Sequence, residues 1–338
     1  MDDPTLPLAR RSMLGAAAGL TAALAAPAPT RAQGAGGARA GGGGAASGDA
    51  KPTPPSSAEQ ASAAGPVDPV RPLQGKVALV TGGARGIGRA SALELARLGA
   101  DVAVLDIAQP AALAGVADYP LASRGDLDEA ERQVRALGVR AVAVVADVRQ
   151  PAELERAVQQ AVAGLGGLDI LVAAAGVNLA DDTLASHTPA KWSAIVETNV
   201  HGVLHAVHAA LPALRRRPGA RVIVVSSLAG RRGSPKSLVY TTSKWAVTGL
   251  MKCLAAELAD DGIAVNAVAP SGVDTVLYEK GRPIETVKRD AAEGTVMPVS
   301  ALAPVDIARA VAFLAGPGGR WMSGSTIDVN AGRSAMLG

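Results

Sequence analysis

The chain has 338 residues, about half of them hydrophobic, and a formal net charge of +3, which allows one large or two small domains with a full core. So weak a positive charge, with no stripe of Lys and Arg, argues against nucleic acid as a partner. Cys253 is the only cysteine, which excludes an internal disulfide and a cysteine metal cluster.

In chain order, residues 1–32 read as a delivery segment. Ala9-Arg10-Arg11-Ser12-Met13-Leu14-Gly15 resembles a twin-arginine export signal, and it is followed by an apolar run, Ala16 to Ala26, and small-residue cleavage options at Ala28 or Ala32. The run is too short and too rich in Gly and Ala for a stable membrane span. Export to a bacterial periplasm is the expectation. An uncleaved anchor and a misassigned start codon, the latter leaving a cytoplasmic protein, are the alternatives. Residues 33–72 are Gly, Ala, Pro and Ser with hardly a bulky side chain, a composition that buries too little apolar area to offset its ordering entropy, so a disordered linker is expected.

From residue 73 to 338 the pattern alternates. Apolar runs predict strands at 76–81, 101–106, 141–146, 168–173, 220–226, 263–268 and 325–329. Helical spacing falls between them, at 86–98, 127–137, 151–164, 189–214, 238–260 and 304–315. The fold class is α/β: a single doubly wound parallel-sheet Rossmann domain, with its ligand site beyond the carboxyl ends of the strands.

The first strand–helix turn, Thr81-Gly82-Gly83-Ala84-Arg85-Gly86-Ile87-Gly88, carries a glycine fingerprint in the right context. Gly82 permits the tight turn, Gly86 lets the backbone approach a pyrophosphate, and Gly88 allows close helix packing. Asp106 ends the second strand, where a carboxylate accepts from ribose hydroxyls and repels a 2′-phosphate. Arg85 argues the other way, but Asp106 favours NAD over NADP.

Tyr240 and Lys244 stand one turn apart in the predicted helix 238–260. A phenol titrates at about 10. An ammonium about 4 Å away, at an effective dielectric of about 20, favours the phenolate by roughly 4 kcal/mol, which brings Tyr240 toward the range of a general base. Ser227 lies thirteen residues upstream of Tyr240, with Ser226 as the competing serine. His201, His205 and His208 share a helical face at i, i+4 and i+7, but with no carboxylate beside them they read as packed or solvated, and no metal is expected.

Taken in order, these residues resemble the short-chain dehydrogenase/reductase family over about 73–338. Asp147 in Ala-Asp-Val, Ala175-Gly176, Asn199, Pro270 to Thr275 and the closing Ser323-Gly-Ser-Thr-Ile-Asp-Val-Asn belong to the same set. The resemblance implies a catalytic set of Asn199, Ser227, Tyr240 and Lys244. It also implies a cofactor site from Gly82, Arg85, Gly86, Ile87, Gly88, Asp106, Asp147, Val148, Ala175, Gly176, Pro270, Val273 and Thr275, shared with Tyr240 and Lys244. Asp147 and Val148 would flank the adenine, Thr275 would hold the carboxamide, and Asn199 would fix a water or a backbone kink. A subunit interface on helix 189–214, in a homotetramer or homodimer, is implied as well.

The chain departs from the family pattern in three places. Asn-Asn-Ala-Gly reads Ala173-Ala174-Ala175-Gly176, and Pro-Gly reads Pro270-Ser271. About twenty extra residues, 107–126, follow Asp106. That insertion looks like one in the mycofactocin-associated, carveol-dehydrogenase-like subgroup, where it covers bound NAD. The resulting expectation is an NAD-dependent oxidoreductase interconverting a secondary alcohol and a ketone. A 3-oxoacyl-carrier reductase and a catalytically idle NAD-binding protein are the alternatives. Substrate selectivity is expected in 228–239 and in a lid-like segment, 276–300, with Lys236, Tyr278 and Arg282 as polar candidates. Export would require tightly held NAD and an external redox partner.

Overall fold

The structure, a computed structural model, describes residues 68, 70–113, 116, 121–179, 183–235, 237–276, 296, 297, 299 and 301–336. The signal, residues 33–67 of the linker, Lys236, Tyr278, Arg282 and most of the expected lid lie outside the described residues.

Seven strands form one sheet in the order β3-β2-β1-β4-β5-β6-β7, every pair parallel. They are β1 (Val77–Thr81), β2 (Asp101–Asp106), β3 (Ala141–Val145), β4 (Ile170–Ala173), β5 (Arg221–Val225), β6 (Ala264–Pro270) and β7 (Thr326–Val329). The helices are α1 (Gly86–Arg97), α2 (Arg124–Arg135), α3 (Pro151–Leu165), α4 (Pro189–Val196), α5 (Gly202–Leu214), α6 (Leu238–Glu257) and α7 (Pro304–Ala315). The central strands β1 and β4 are buried throughout and almost wholly apolar because both faces are covered. Val77 and Leu79 of β1 enter one core layer with α3, α5 and α6, while Ala78 and Val80 enter the other with α1, α2 and α7. A fully buried Leu such as Leu79 or Leu105 contributes about 1.5–3 kcal/mol to holding these layers together.

Helix ends follow local chemistry. Ser123 and Asp126 form a reciprocal capping box that starts α2 at Arg124, three residues before the expected 127. Pro151 opens α3 and Gly166, at φ 85°, closes it. The expected helix 189–214 is interrupted: a π turn, Glu197–His201, separates α4 from α5, because one extra residue is accommodated there to carry Asn199 inward.

The sheet reverses direction of growth between β1 and β4. Thr81 at the end of β1 is in register with Leu105 of β2 and Ala173 of β4, so the carboxyl ends lie level and the loops that follow them enclose a single crevice.

Candidate active site

A cavity of about 760 Å³ occupies that crevice, lined from Asp106 and Asp147 at one end to Ser227 and Tyr240 at the other. The turn after β1 has no room for side chains at Gly82 and Gly88. A Cβ on Gly88 would lie 2.0 Å from the Gly82 carbonyl oxygen, and one on Gly82 would lie 2.7 Å from Ala175 Cα. Gly82 and Gly86 have φ of +66° and +54°, values that suit glycine. Arg85 precedes α1 without a side-chain cap bond, leaving the first-turn N–H groups of Gly86, Ile87 and Gly88 beside the cavity. A bare helix start behind a glycine cradle fits a diphosphate, so the residues present fit a dinucleotide.

Thr81, which no local motif singles out, steadies the loop after β4. Its Oγ1 accepts from the amides of Ala174 and Ala175, each at 3.2 Å, which ties down the stretch where the family's asparagines are replaced by alanine. Gly176 sits against Asn199 and Lys244; a Cβ on it would lie 3.3 Å from Asn199 Oδ1.

Asp106 is buried at the end of β2, where it accepts from the Ala84 amide at 3.1 Å. Burial raises its carboxyl above the usual range, against hydrogen bonds from Ala84, Ala108 and Ile107 and the charge of Arg85. Asp147 and Val148 follow β3. Val148 packs against Gly202, and its carbonyl lies 3.1 Å from His205 Nδ1; His205 thus has a backbone partner, while His201 and His208 are exposed. The Asp147 carboxylate is held by Arg149, a residue that neither spacing nor the family pattern marks.

Ser227 ends the β5 exit and accepts from the Ala229 amide at 3.1 Å, opening a short 3-10 turn, Leu228–Gly230. Its hydroxyl and the Tyr240 phenol line the same end of the cavity, and the hydroxyl favours the phenolate. Ser226 points the other way, into a buried pair with Thr248 Oγ1 at 2.9 Å. Lys244 Nζ donates to the Val225 carbonyl at 2.8 Å and stands 5.6 Å from the Tyr240 ring centroid. The electrostatics differ from the simple expectation of an ammonium pulling the phenol down. Burial pushes Tyr240 up, the Ser227 hydroxyl opposes it, and burial lowers Lys244 from 10.5 to about 8.

Asn199 is fully buried, and its side chain is engaged on all sides. Oδ1 accepts from the Val177 amide at 2.8 Å; Nδ2 donates to the Val177 carbonyl at 2.9 Å and to Ser243 Oγ at 3.0 Å. Ser243 in turn donates to the Tyr240 carbonyl at 2.7 Å. Thr275 lies beside Gly86 with Oγ1 3.3 Å from the Val273 carbonyl, and Pro270 ends β6. From the insertion, Leu113, Leu121 and Ala122 line the cavity, and Leu113 belongs to an apolar cluster with Val177, Leu179, Ala194, Ile195 and Val239, the last adjacent to Tyr240.

A level crevice with a glycine cradle at its centre and a phenol–hydroxyl pair at one end is the site of a nucleotide-dependent oxidoreductase. The chain belongs to the short-chain dehydrogenase family, which matches residues 76–285. An uncharacterized oxidoreductase of Mycobacterium tuberculosis is 39% identical over 275 residues, covering 78% of this chain and 97% of that protein. A carveol dehydrogenase from Mycobacterium avium, solved in complex with NAD, superposes with a TM-score of 0.74 at 34% identity, covering 78% of this chain and 99% of that one. A short-chain dehydrogenase from Mycobacterium paratuberculosis, bound to NAD, gives 0.70 at 37% identity over 78% and 99% of the two chains.

Proposed function

We propose that the protein is an NAD-dependent oxidoreductase that interconverts a secondary alcohol and a ketone. The observation that carries this reading is the convergence of Ser227, Tyr240 and Lys244 on one end of the cavity, with Lys244 Nζ 5.6 Å from the Tyr240 ring centroid and Asp106 at the other end. The bound nicotinamide supplies the chemistry of hydride exchange. Ser227 orients the substrate oxygen toward Tyr240 and steadies charge that develops on it. In reduction the Tyr240 phenol gives its proton to that oxygen; in oxidation the phenolate takes it. Burial holds the phenol protonated at neutral pH, so the reductive direction finds its acid ready and the oxidative direction gains rate as pH rises. Lys244, still mostly cationic at pH 7 with its pKa near 8, favours the phenolate when it forms.

Asp106 supports NAD over NADP, since an acceptor-only carboxylate repels a 2′-phosphate, and two relatives carry NAD in their solved structures. Leu113 of the insertion lines the cavity and is held in an apolar cluster with Ile195 and Val239, which supports slow NAD exchange of the kind expected for the mycofactocin-associated subgroup. The same retention would let a folded protein keep its cofactor through a twin-arginine route and hand electrons to an external partner. Purified protein is to be checked for co-purified nucleotide, then assayed with cyclic and acyclic secondary alcohols, carveol among them, and their ketones, using NAD and NADP. Turnover with NAD is expected. A protein without bound nucleotide that reduces no ketone with either cofactor would end this reading.

A further inference from the structure

The loop from Ser227 to Tyr240 begins and ends at the reacting end of the cavity, and its own Arg232, Ser234 and Ser237 line the cavity as well. With the proposed oxidoreductase reading as premise, the part of a substrate beyond its reacting oxygen lies against this loop. Packing fixes the loop's root. A Cβ on Gly230 would lie 2.6 Å from the Lys244 carbonyl oxygen, so the chain there is pressed onto α6. Arg231 ties the next residue to the last strand, donating from Nη1 to Asp328 Oδ1 at 3.3 Å.

Arg232 follows directly and is engaged differently. Of the other cations lining the cavity, Arg149 is paired with Asp147, and Lys244 donates to the Val225 carbonyl. Among the described residues no ion pair or hydrogen bond holds the Arg232 guanidinium, and Asp274, which also lines the cavity, is not paired with it. The hydroxyls of Ser234 and Ser237 are half-buried on the same loop, and that of Ser237 is not spent on capping α6. A guanidinium is a planar fork of N–H donors that fits a carboxylate with two parallel bonds. One unpaired cation beside two neutral hydroxyls matches a single negative charge, so a carboxylate fits better than a phosphate dianion.

We infer that the substrate is an oxo acid or hydroxy acid: a ketone or secondary alcohol that also bears a carboxylate, which Arg232 grips while Ser227 and Tyr240 hold the reacting oxygen. Arg232 is a specificity-determining residue. The carboxylate is bound and released unchanged; in reduction the carbonyl carbon gains the hydride and its oxygen gains the proton.

Reduction of matched pairs with NADH tests this. Levulinate, its one- and two-carbon homologues and a cyclohexanone carboxylate are each compared with the methyl ester, which keeps the ketone and removes the charge. The readout is kcat/KM for the acid divided by kcat/KM for its ester, so a general loss of folding or activity cancels. In the wild type at least one acid should exceed its ester by about tenfold or more, the scale of a hydrogen bond to a charged group, with the difference in KM. Arg232→Met should bring that ratio to about one, and Arg232→Glu should invert it through like-charge repulsion. Added salt should lower the wild-type ratio. Should either variant prove inactive, the wild-type ratio and its salt dependence carry the decision. A wild type that favours no acid in the series, or an Arg232→Met protein that keeps the full preference, overturns the inference. Turnover of the esters without preference for the acids overturns this inference only; reduction of no ketone with NADH or NADPH overturns the oxidoreductase reading with it.

Discussion

Lys244 is buried and Tyr240 half-buried beside it, and desolvation raises the phenol while lowering the ammonium to about 8. Removing the phenol oxygen by Tyr240→Phe should cut kcat by roughly 10³-fold in either direction, the usual worth of a positioned acid or base, with an unchanged thermal melt showing that the fold is intact. Lys244 makes a separate prediction about stability. Its folded pKa of about 8 lies below the ordinary 10.5, so the unfolded chain binds more protons between those values and stability rises with pH through that window. The full penalty, roughly 3 kcal/mol, is present below pH 8. In nucleotide-free protein, Lys244→Met should therefore abolish activity yet melt at least as high as wild type at pH 7. That advantage should shrink as pH climbs from 8 toward 10.5; melting curves recorded across this range check it, and a constant difference would contradict the burial argument.

At the level of elements, the π turn between α4 and α5 links β4 to the catalytic helix. Asn199 holds both backbone groups of Val177 and passes on to Ser243 and the Tyr240 carbonyl. Asn199→Ala leaves the Val177 groups buried without partners, which costs about 2–4 kcal/mol. Urea denaturation should show that loss. Activity should fall mainly in kcat, since the phenol is displaced and the substrate pocket is not rebuilt. The insertion acts at the same scale: its Leu113 and the neighbour of Tyr240, Val239, belong to one apolar cluster.

For the molecule as a whole, the distribution of large apolar side chains points outward. Trp192, Leu204 and Trp245, on α4, α5 and α6, are 41%, 44% and 51% exposed, and Phe313 and Trp321 are 49% and 63% exposed near α7. Exposed aromatics of this size are common at interfaces, which supports the proposed homo-oligomer. Trp245→Arg should lower the mass measured by light scattering while leaving the monomer folded by circular dichroism; an unchanged mass would place the interface elsewhere. No helix among the described residues is long and apolar enough to cross a membrane.

What was legible in the amino-acid order alone was whatever local spacing encodes. The alternation of strand and helix, the Gly82-to-Gly88 turn, Asp106 at a strand end, and Tyr240 one turn from Lys244 all follow from periodicity and from rules that act within a few residues. The tertiary structure decided everything that depends on residues far apart in the chain. Asn199 meets Val177 and Ser243 across 22 and 44 positions, Leu113 joins the apolar cluster that holds Val239, and Thr81 holds a loop 93 residues away. The grip of Arg149 on Asp147 is local, but two charges at i and i+2 become a close ion pair only because the walls of the crevice exclude water around them. Proton affinities belong to the same class. Spacing placed Lys244 beside Tyr240, whereas desolvation, a property of the assembled core, set the direction in which each one shifts.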